Sequence, residues 1–237
     1  MEKNREGGGF VAHYVLSDIH GYQNRFDAML DAIGFSETDT LYILGDVIDR
    51  GPDGVRLLER IMAAPNMVML LGNHEYMCLQ FHAPGATADD LYRWSRNGCA
   101  PTLRGLKRLD RHRRAEVLDF LQSIPTQITV EVDGQAFLLV HGFPADTVYG
   151  RVWGRPEPET PNPEPGTTLI IGHTPVLSLG RSGAEIDAEI ERLAAAGEHL
   201  RIYHGPGFMD IDCGVGYNLP CSRLACLRLE DLAEFYT

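Results

Sequence analysis

Six short segments of this chain set Asp, His or Asn behind apolar runs. They are Ser17-Asp18-Ile19-His20-Gly21, Gly45-Asp46-Val47-Ile48-Asp49-Arg50-Gly51, Gly72-Asn73-His74-Glu75, His141-Gly142, Gly172-His173-Thr174-Pro175 and Asp212-Cys213-Gly214. Carboxylate, imidazole and amide oxygen donors together suit Mn, Fe or Zn better than a soft copper site. Asp18 and His20 stand two apart, so an extended backbone aims both side chains at the same face. Gly21 permits the turn that follows them. One carboxylate, Asp46, can bridge two cations. Two cations about 3.5–4 Å apart hold an activated hydroxide between them and stabilise both ends of an in-line displacement. His74 follows Asn73 directly, so it would sit beside the cations without having to ligate them. A neighbouring carboxylate such as Asp49 favours its imidazolium form, and protonation of a leaving group needs an acid of near-neutral pKa. Each segment alone is ambiguous: Asp49 and Arg50 could form a surface ion pair, and Gly172-His173-Thr174-Pro175 could be only a turn. The weight lies in finding six of them, each after a short apolar run.

Those runs define the elements that must position the site. Residues 11–17, 40–44 and 67–71 read as strands, and residues 22–33 and 54–63 as helices with apolar residues at helical spacing. This βαβαβ order predicts a largely parallel sheet covered on both faces. Helices are predicted over 75–82, 89–96 and 111–123, the last capped by Asp110. Residues 126–132 and 135–140 form a hairpin around Asp133-Gly134. Residues 155–166 hold five prolines and read as a loop. A short strand at 169–171, a helix at 184–196 and strands at 200–204, 208–211 and 224–229 complete the pattern. Ligand sites in α/β sheets lie at the carboxyl ends of strands, which is where the polar segments fall.

Composition narrows the function classes. The chain has 237 residues, 44% of them hydrophobic, and a formal net charge of −12. A basic nucleic-acid-binding surface is therefore not expected, and a phosphate-bearing partner needs local compensation from metal ions or arginines. No stretch is apolar enough to span a membrane. Residues 1–9 are polar and Gly-rich, without an apolar leader region, so a flexible tail, a single domain over 10–237 and a cytoplasmic location are expected. Five cysteines with no Cys-x-x-Cys pair argue against a disulfide scaffold or a structural zinc. No Cys-x5-Arg loop offers a cysteine nucleophile.

At these motifs the chain resembles the metallophosphoesterases. The resemblance points to the phosphoprotein phosphatase branch, which includes bacterial Ser/Thr phosphatases and symmetrical diadenosine tetraphosphatases. It runs from about Ala12 to Leu229. It implies an α/β fold with a central β-sandwich flanked by helices and the metal site at the carboxyl ends of strands. It also implies two divalent ions, Mn²⁺ first, with Fe, Zn or Ni as alternatives. By that resemblance Asp18, His20 and Asp46 hold one ion. Asp46, Asn73, His141 and His173 hold the other. The resemblance implies His74 as general acid oriented by Asp49, and Arg50 as a phosphate ligand. A second arginine comes from the loop after His141, Arg155 first and Arg151 as the fallback. Asp212 would orient a histidine or the metal shell. The helix at 184–196 is longer than the connection in compact members. It could wall the cleft, support an oligomer, or pack on the sheet edge.

The expected substrate is a phosphorylated protein or a small phosphoester. Asp49 together with Glu75 favours a Ser/Thr protein phosphatase, with dual specificity open. The dinucleotide polyphosphate hydrolases, by resemblance, usually lack the first and often carry Asp at the second. A dinucleoside polyphosphate hydrolase, a phosphatase of nucleic-acid ends, or a metal-binding interaction protein without turnover remain the alternatives. Retention of His74, Asp49 and Arg50 speaks against the last, since metal binding alone needs none of them.

Overall fold

Apolar tetrads and triads build the first sheet of this computed structural model, which describes residues 11–237. The expected tail over 1–9 lies outside the described residues. β1 (His13–Leu16), β2 (Thr40–Ile43) and β3 (Met67–Met69) pair in parallel. α1 (Gln23–Ile33) and α2 (Gly54–Ala63) make the crossovers. The expectation of a largely parallel sheet is corrected at its other edge. β9 (Ala225–Arg228) pairs antiparallel with β1, and β10 (Glu234–Tyr236) pairs antiparallel with β9. The last segment of the chain thus covers an edge that would otherwise present unpaired backbone groups.

The second sheet starts from the expected hairpin, β4 (Gln127–Val132) and β5 (Gln135–Val140). Asp133 and Gly134 both have positive φ, 49° and 79°, the requirement of a tight two-residue hairpin turn. β6 (Thr167–Ile171) and β8 (Met209–Asp210) continue in parallel, and β7 (Tyr203–His204) closes the edge antiparallel to β8. The sheet order is β4-β5-β6-β8-β7.

Strand alternation sorts side chains into three layers. Val15 and Leu227 of the first sheet meet Phe137, Leu139 and Ile170 of the second in the core between the sheets. Tyr14, Leu16 and Ile43 point the other way, onto α1, α2 and their neighbours. Leu138, Val140, Leu169 and Ile171 cover the far face of the second sheet with Leu179 and Phe208.

Four helices follow β3: α3 (Asn73–His82), α4 (Ala88–Arg96), α5 (Ala100–Arg108) and α6 (Arg111–Ser123). α6 is capped as expected, with Asp110 Oδ1 accepting from Arg113 N–H at 2.9 Å. α5 was not expected. Pro101 sits in its first turn, where no intrahelical N–H is needed. Gly105 is where α5 touches α2, because a Cβ there would collide with Val55. α7 (Val148–Trp153) and α8 (Gly183–Ala196) complete the set. α8 lays Ile186, Ile190 and Leu193 on the core between the sheets. None of the residues lining the polar cleft described below belongs to it. Among the described residues no helix is long and apolar enough to cross a membrane. All five cysteines are free and buried.

Candidate metal centre

The loops after β1, β2, β3, β5, β6 and β8 deliver the six polar segments to one place. The loop after β1 runs alongside the loop after β2, with Asp18 N–H donating to Gly45 O and His20 N–H to Asp46 O. Asp18, His20, Asp46, Asp49, Arg50 and His173 all have positive φ, between 49° and 70°. This backbone conformation is uncommon for non-glycine residues, and such strain collects at functional sites. Here it folds the strand ends back so that alternate side chains face one cleft.

Glu75 holds the tightest of these turns. Its carboxylate accepts from the backbone N–H groups of Asp46 (2.8 Å), Val47 (2.9 Å), Ile48 (3.2 Å) and Gly72 (3.1 Å). Burial pushes its pKa up to about 7, and the nearby Asp46 carboxylate adds to the effect. α3 starts at Asn73, two residues ahead of the expected position, which puts Asn73 and His74 in its first turn. His74 N–H donates to Asp46 Oδ1 at 3.0 Å, so the helix N-terminus faces a carboxylate.

Two donor groups result, His20–Asp46–His74 and Asp46–His141–His173, all buried and sharing Asp46. His20 Nδ1 lies 3.1 Å from Ile48 O, so its N–H donates there and the Nε2 lone pair is left to face Asp18 Oδ1 (3.8 Å) and Asp46 Oδ2 (3.7 Å). That is the tautomer a metal ligand needs. His141 Nε2 lies 3.0 Å from Asn73 Oδ1 and 3.3 Å from Asp46 Oδ1. His141 Nδ1 and His173 Nε2 are buried without a hydrogen-bond partner, a costly arrangement for apolar surroundings. Burial disfavours the charged form of His141, but Asp46, Asp18 and Glu75 outweigh it and raise its pKa to about 9. Burial alone would raise Asp46, yet His141, His74 and His20 together hold it well below the usual carboxylate range. Buried carboxylates and imidazoles around one shared Asp, with imidazole nitrogens left over, fit a pair of divalent cations.

His74 is built differently. Its Nδ1 lies 2.7 Å from Asp49 Oδ2, and its Nε2 turns toward the cleft, 3.4 Å from Arg50 Nη2. Burial works against its charged form, but Asp46 and Asp49 prevail and raise its pKa. Asp49 is fully buried and also accepts from Trp94 Nε1 at 2.6 Å and from Thr102 Oγ1. Trp94 and Thr102 were not among the expected site residues. They lie 45 and 53 positions from Asp49, and nothing local in α4 or α5 marks them. Trp94→Phe keeps the ring and deletes the donor. We expect it to lower the unfolding free energy by about 1–3 kcal/mol, the usual cost of a lost buried partner. Trp94→Ala should cost about 3–5 kcal/mol, because it also opens a cavity. Chemical denaturation reads both, and a Phe variant as stable as the parent would mean that the indole bond contributes nothing.

The arginines separate cleanly. Arg50 and Arg155 both line the cleft, with Asp18, Asp46, Asn73, His74 and His173. Arg151 does not: its guanidinium donates to Ala145 O (2.8 Å) and Thr126 Oγ1 (3.1 Å) and ties α7 to the residue before β4. Asp212 lines the cleft too, but its Oδ1 accepts from Gly214 N–H at 2.8 Å and from no histidine. It organises the turn that follows β8. Cys213 is buried, and burial holds its thiol well above its ordinary value, which leaves it unreactive.

Comparison with known proteins bears on the fold and the family. The family model for calcineurin-like phosphoesterases matches residues 14–205. The symmetrical bis(5'-nucleosyl)-tetraphosphatase of Delftia acidovorans is 35% identical over 134 residues, which is 55% of this chain and 44% of that protein. The enzyme of the same name from Acidovorax sp. is 37% identical over 133 residues, 55% of this chain and 43% of that protein. The chain thus matches less than half the length of these curated relatives. A solved chain named as a candidate diadenosine tetraphosphatase superposes with a TM-score of 0.59 at 18% identity, covering 96% of this chain and 93% of that one. A cold-active protein-tyrosine phosphatase from a psychrophilic Shewanella gives 0.52 at 15% identity, covering 96% and 80%. At such identities these likenesses carry the fold alone. The relatives matched in sequence are named as dinucleotide hydrolases, which favours the expected alternative over the protein phosphatase. The two residues that favoured a protein phosphatase are accounted for in the site. Asp49 is occupied by His74, Trp94 and Thr102, and Glu75 by four backbone N–H groups. Both serve the framework and neither reports on the substrate. With the match covering most of its length, a sandwich of two sheets and a shared-Asp donor set at the strand ends, the chain belongs to the calcineurin-like phosphoesterase family.

Proposed function

We propose that this chain is a two-metal phosphoric-anhydride hydrolase that cleaves dinucleoside polyphosphates symmetrically, with residues 10–237 as one catalytic domain. The reading rests on the buried donor set sharing Asp46, faced by Arg50 and Arg155 across the same cleft. The dinucleotide is favoured because the curated relatives bear that activity in their names. Asp18, His20 and Asp46 would hold one cation, and Asp46, Asn73, His141 and His173 the other, with Mn²⁺ the first choice. Bound there, the cations supply charge neutralisation for the phosphoryl oxygens and acidify a water.

The chain's own groups do the rest. Arg50 and Arg155 grip non-bridging oxygens through paired N–H donors. Asp49 fixes the Nδ1–H of His74, so the proton available for the leaving oxygen is on Nε2, the nitrogen that faces the cleft. Asp46 and Asp49 raise the pKa of His74, which favours the form that carries that proton. Five free, buried cysteines suit a reducing compartment such as the cytoplasm.

The deciding experiment strips the protein of metal, restores Mn²⁺, and compares diadenosine tetraphosphate, a phosphoserine peptide and a phosphotyrosine peptide. The expected result is metal-dependent conversion of the dinucleotide into two molecules of ADP at the highest kcat/KM of the three. Preference for a phosphopeptide, or release of ATP with AMP, would overturn the reading.

A further inference from the structure

Tyr217 closes a short 3-10 turn, Val215–Tyr217, that begins where Asp212 fastens Gly214 N–H. Gly216, the residue before Tyr217, is pressed against the site: a Cβ there would run into the ring of His20 and the guanidinium of Arg50. The turn is therefore referenced to a candidate metal ligand and a candidate phosphate ligand at once. Tyr217 nevertheless leaves 53% of its surface exposed while lining the cleft. Arg50 lies over its ring, 4.7 Å from the centroid, a cation–π contact that holds the ring in place from one side.

The other aromatic residue lining the cleft is already engaged. Trp153 stacks on Tyr149, with centroids 6.2 Å apart, and meets His173 edge-on at 5.6 Å. Tyr217 has no aromatic neighbour among the ring pairs of the described residues, and Arg50 is the cation over its ring. An exposed aromatic face at the mouth of a phosphate cleft asks for a flat, π-rich partner.

Arg50 meets both groups: its Nη2 lies 3.4 Å from His74 Nε2, and its guanidinium carbon lies 4.7 Å from the Tyr217 ring centroid. In a dinucleotide the flat, π-rich group is the nucleobase, set off from the scissile phosphoryl group by a ribose and a further phosphate. Resting on the dinucleotide reading above, we infer that Tyr217 is the platform on which one nucleobase of the substrate stacks, with Arg50 in contact with that platform.

Calorimetric titration of the Mn²⁺-loaded protein with ADP, inorganic pyrophosphate and phosphotyrosine tests this without requiring turnover. ADP and pyrophosphate share the diphosphate, so their affinity ratio isolates the nucleoside. Stacking on one aromatic ring predicts ADP binding about tenfold tighter than pyrophosphate. Tyr217→Ala should bring that ratio toward one, and Tyr217→Phe should keep it. A parent ratio of one, a ratio unmoved by Tyr217→Ala, or phosphotyrosine binding tighter than ADP would overturn the inference. The two readings fail separately. A protein that shows the Tyr217-dependent ratio but does not cleave the dinucleotide keeps the platform and loses the proposed reaction. Cleavage of the dinucleotide with a ratio indifferent to Tyr217 does the reverse.

Discussion

Replacing His74 by asparagine is expected to lower kcat by about 10²–10⁴-fold on an alkyl phosphomonoester, the range in which a positioned general acid contributes. The loss should shrink as the leaving group improves, because a weakly basic oxygen needs no proton to depart. It should be least for p-nitrophenyl phosphate, and a nucleoside diphosphate leaving group should fall nearer that end than an alkoxide. The geometry makes this specific. His74 faces Asp49 with one nitrogen and the cleft with the other, and its Nε2 stands 3.8 Å from Asp46 Oδ2. Asparagine keeps a polar group at the start of α3 and leaves the backbone N–H that Asp46 accepts from. Metal content should therefore be retained. The measurement is kcat across a series of aryl and alkyl monoesters for parent and variant, with bound metal quantified in both. Equal losses across the series would remove the general-acid role, and a drop in bound metal would reassign His74 to the cation shell.

Much of this site is legible in the sequence because its parts are local. Asp18 and His20, Asp46 to Arg50, and Asn73 with His74 each occupy one loop behind one strand. A strand read from its apolar run carries its loop to the correct edge, as in β1, β2 and β5. What could not be read depends on distance or on backbone conformation. The positive φ of Asp18, Asp46 and His173 has no local signal, since none is glycine. The cage around Asp49 comes from Trp94 and Thr102 on helices that pack only in the folded state. α5 was hidden because Pro101 and Gly105 read as breakers, whereas one sits in the first turn and the other at a helix–helix contact. β9 and β10 could not be assigned an edge, because strands more than 200 residues from β1 choose their partner by what is left unpaired. The substrate could not be read for a related reason. Asp49 and Glu75 look like substrate determinants as letters, and only their hydrogen bonds show that both face inward.

Replacing Asp46 by asparagine should have the larger effect on the metal centre. Asp46 is the one residue common to both donor groups, and it has three imidazoles around it. Asparagine preserves size but offers a neutral oxygen on one side and an NH₂ on the other, so it cannot face two cations. Losing a hydrogen-bonding partner of a metal ligand already costs about 10–100-fold in affinity. Losing the shared ligand should cost at least the upper end of that range and empty one position or both. Mass-spectrometric metal counts after dialysis against Mn²⁺ should fall below two per chain, with phosphoester turnover falling alongside. A second readout needs no metal. Burial opposes protonation of His141, and Asp46 is the foremost of the carboxylates that raise its pKa to about 9. In the metal-free variant that opposition loses its main counterweight, and the histidine should titrate lower by NMR. A parent that binds two Mn²⁺ and a variant that binds two with the same affinity would contradict the sharing of Asp46. An unmoved His141 titration would show that the carboxylate is not the source of its high pKa. Both results together would mean that Asp46 acts only through its hydrogen bond to the N-terminus of α3.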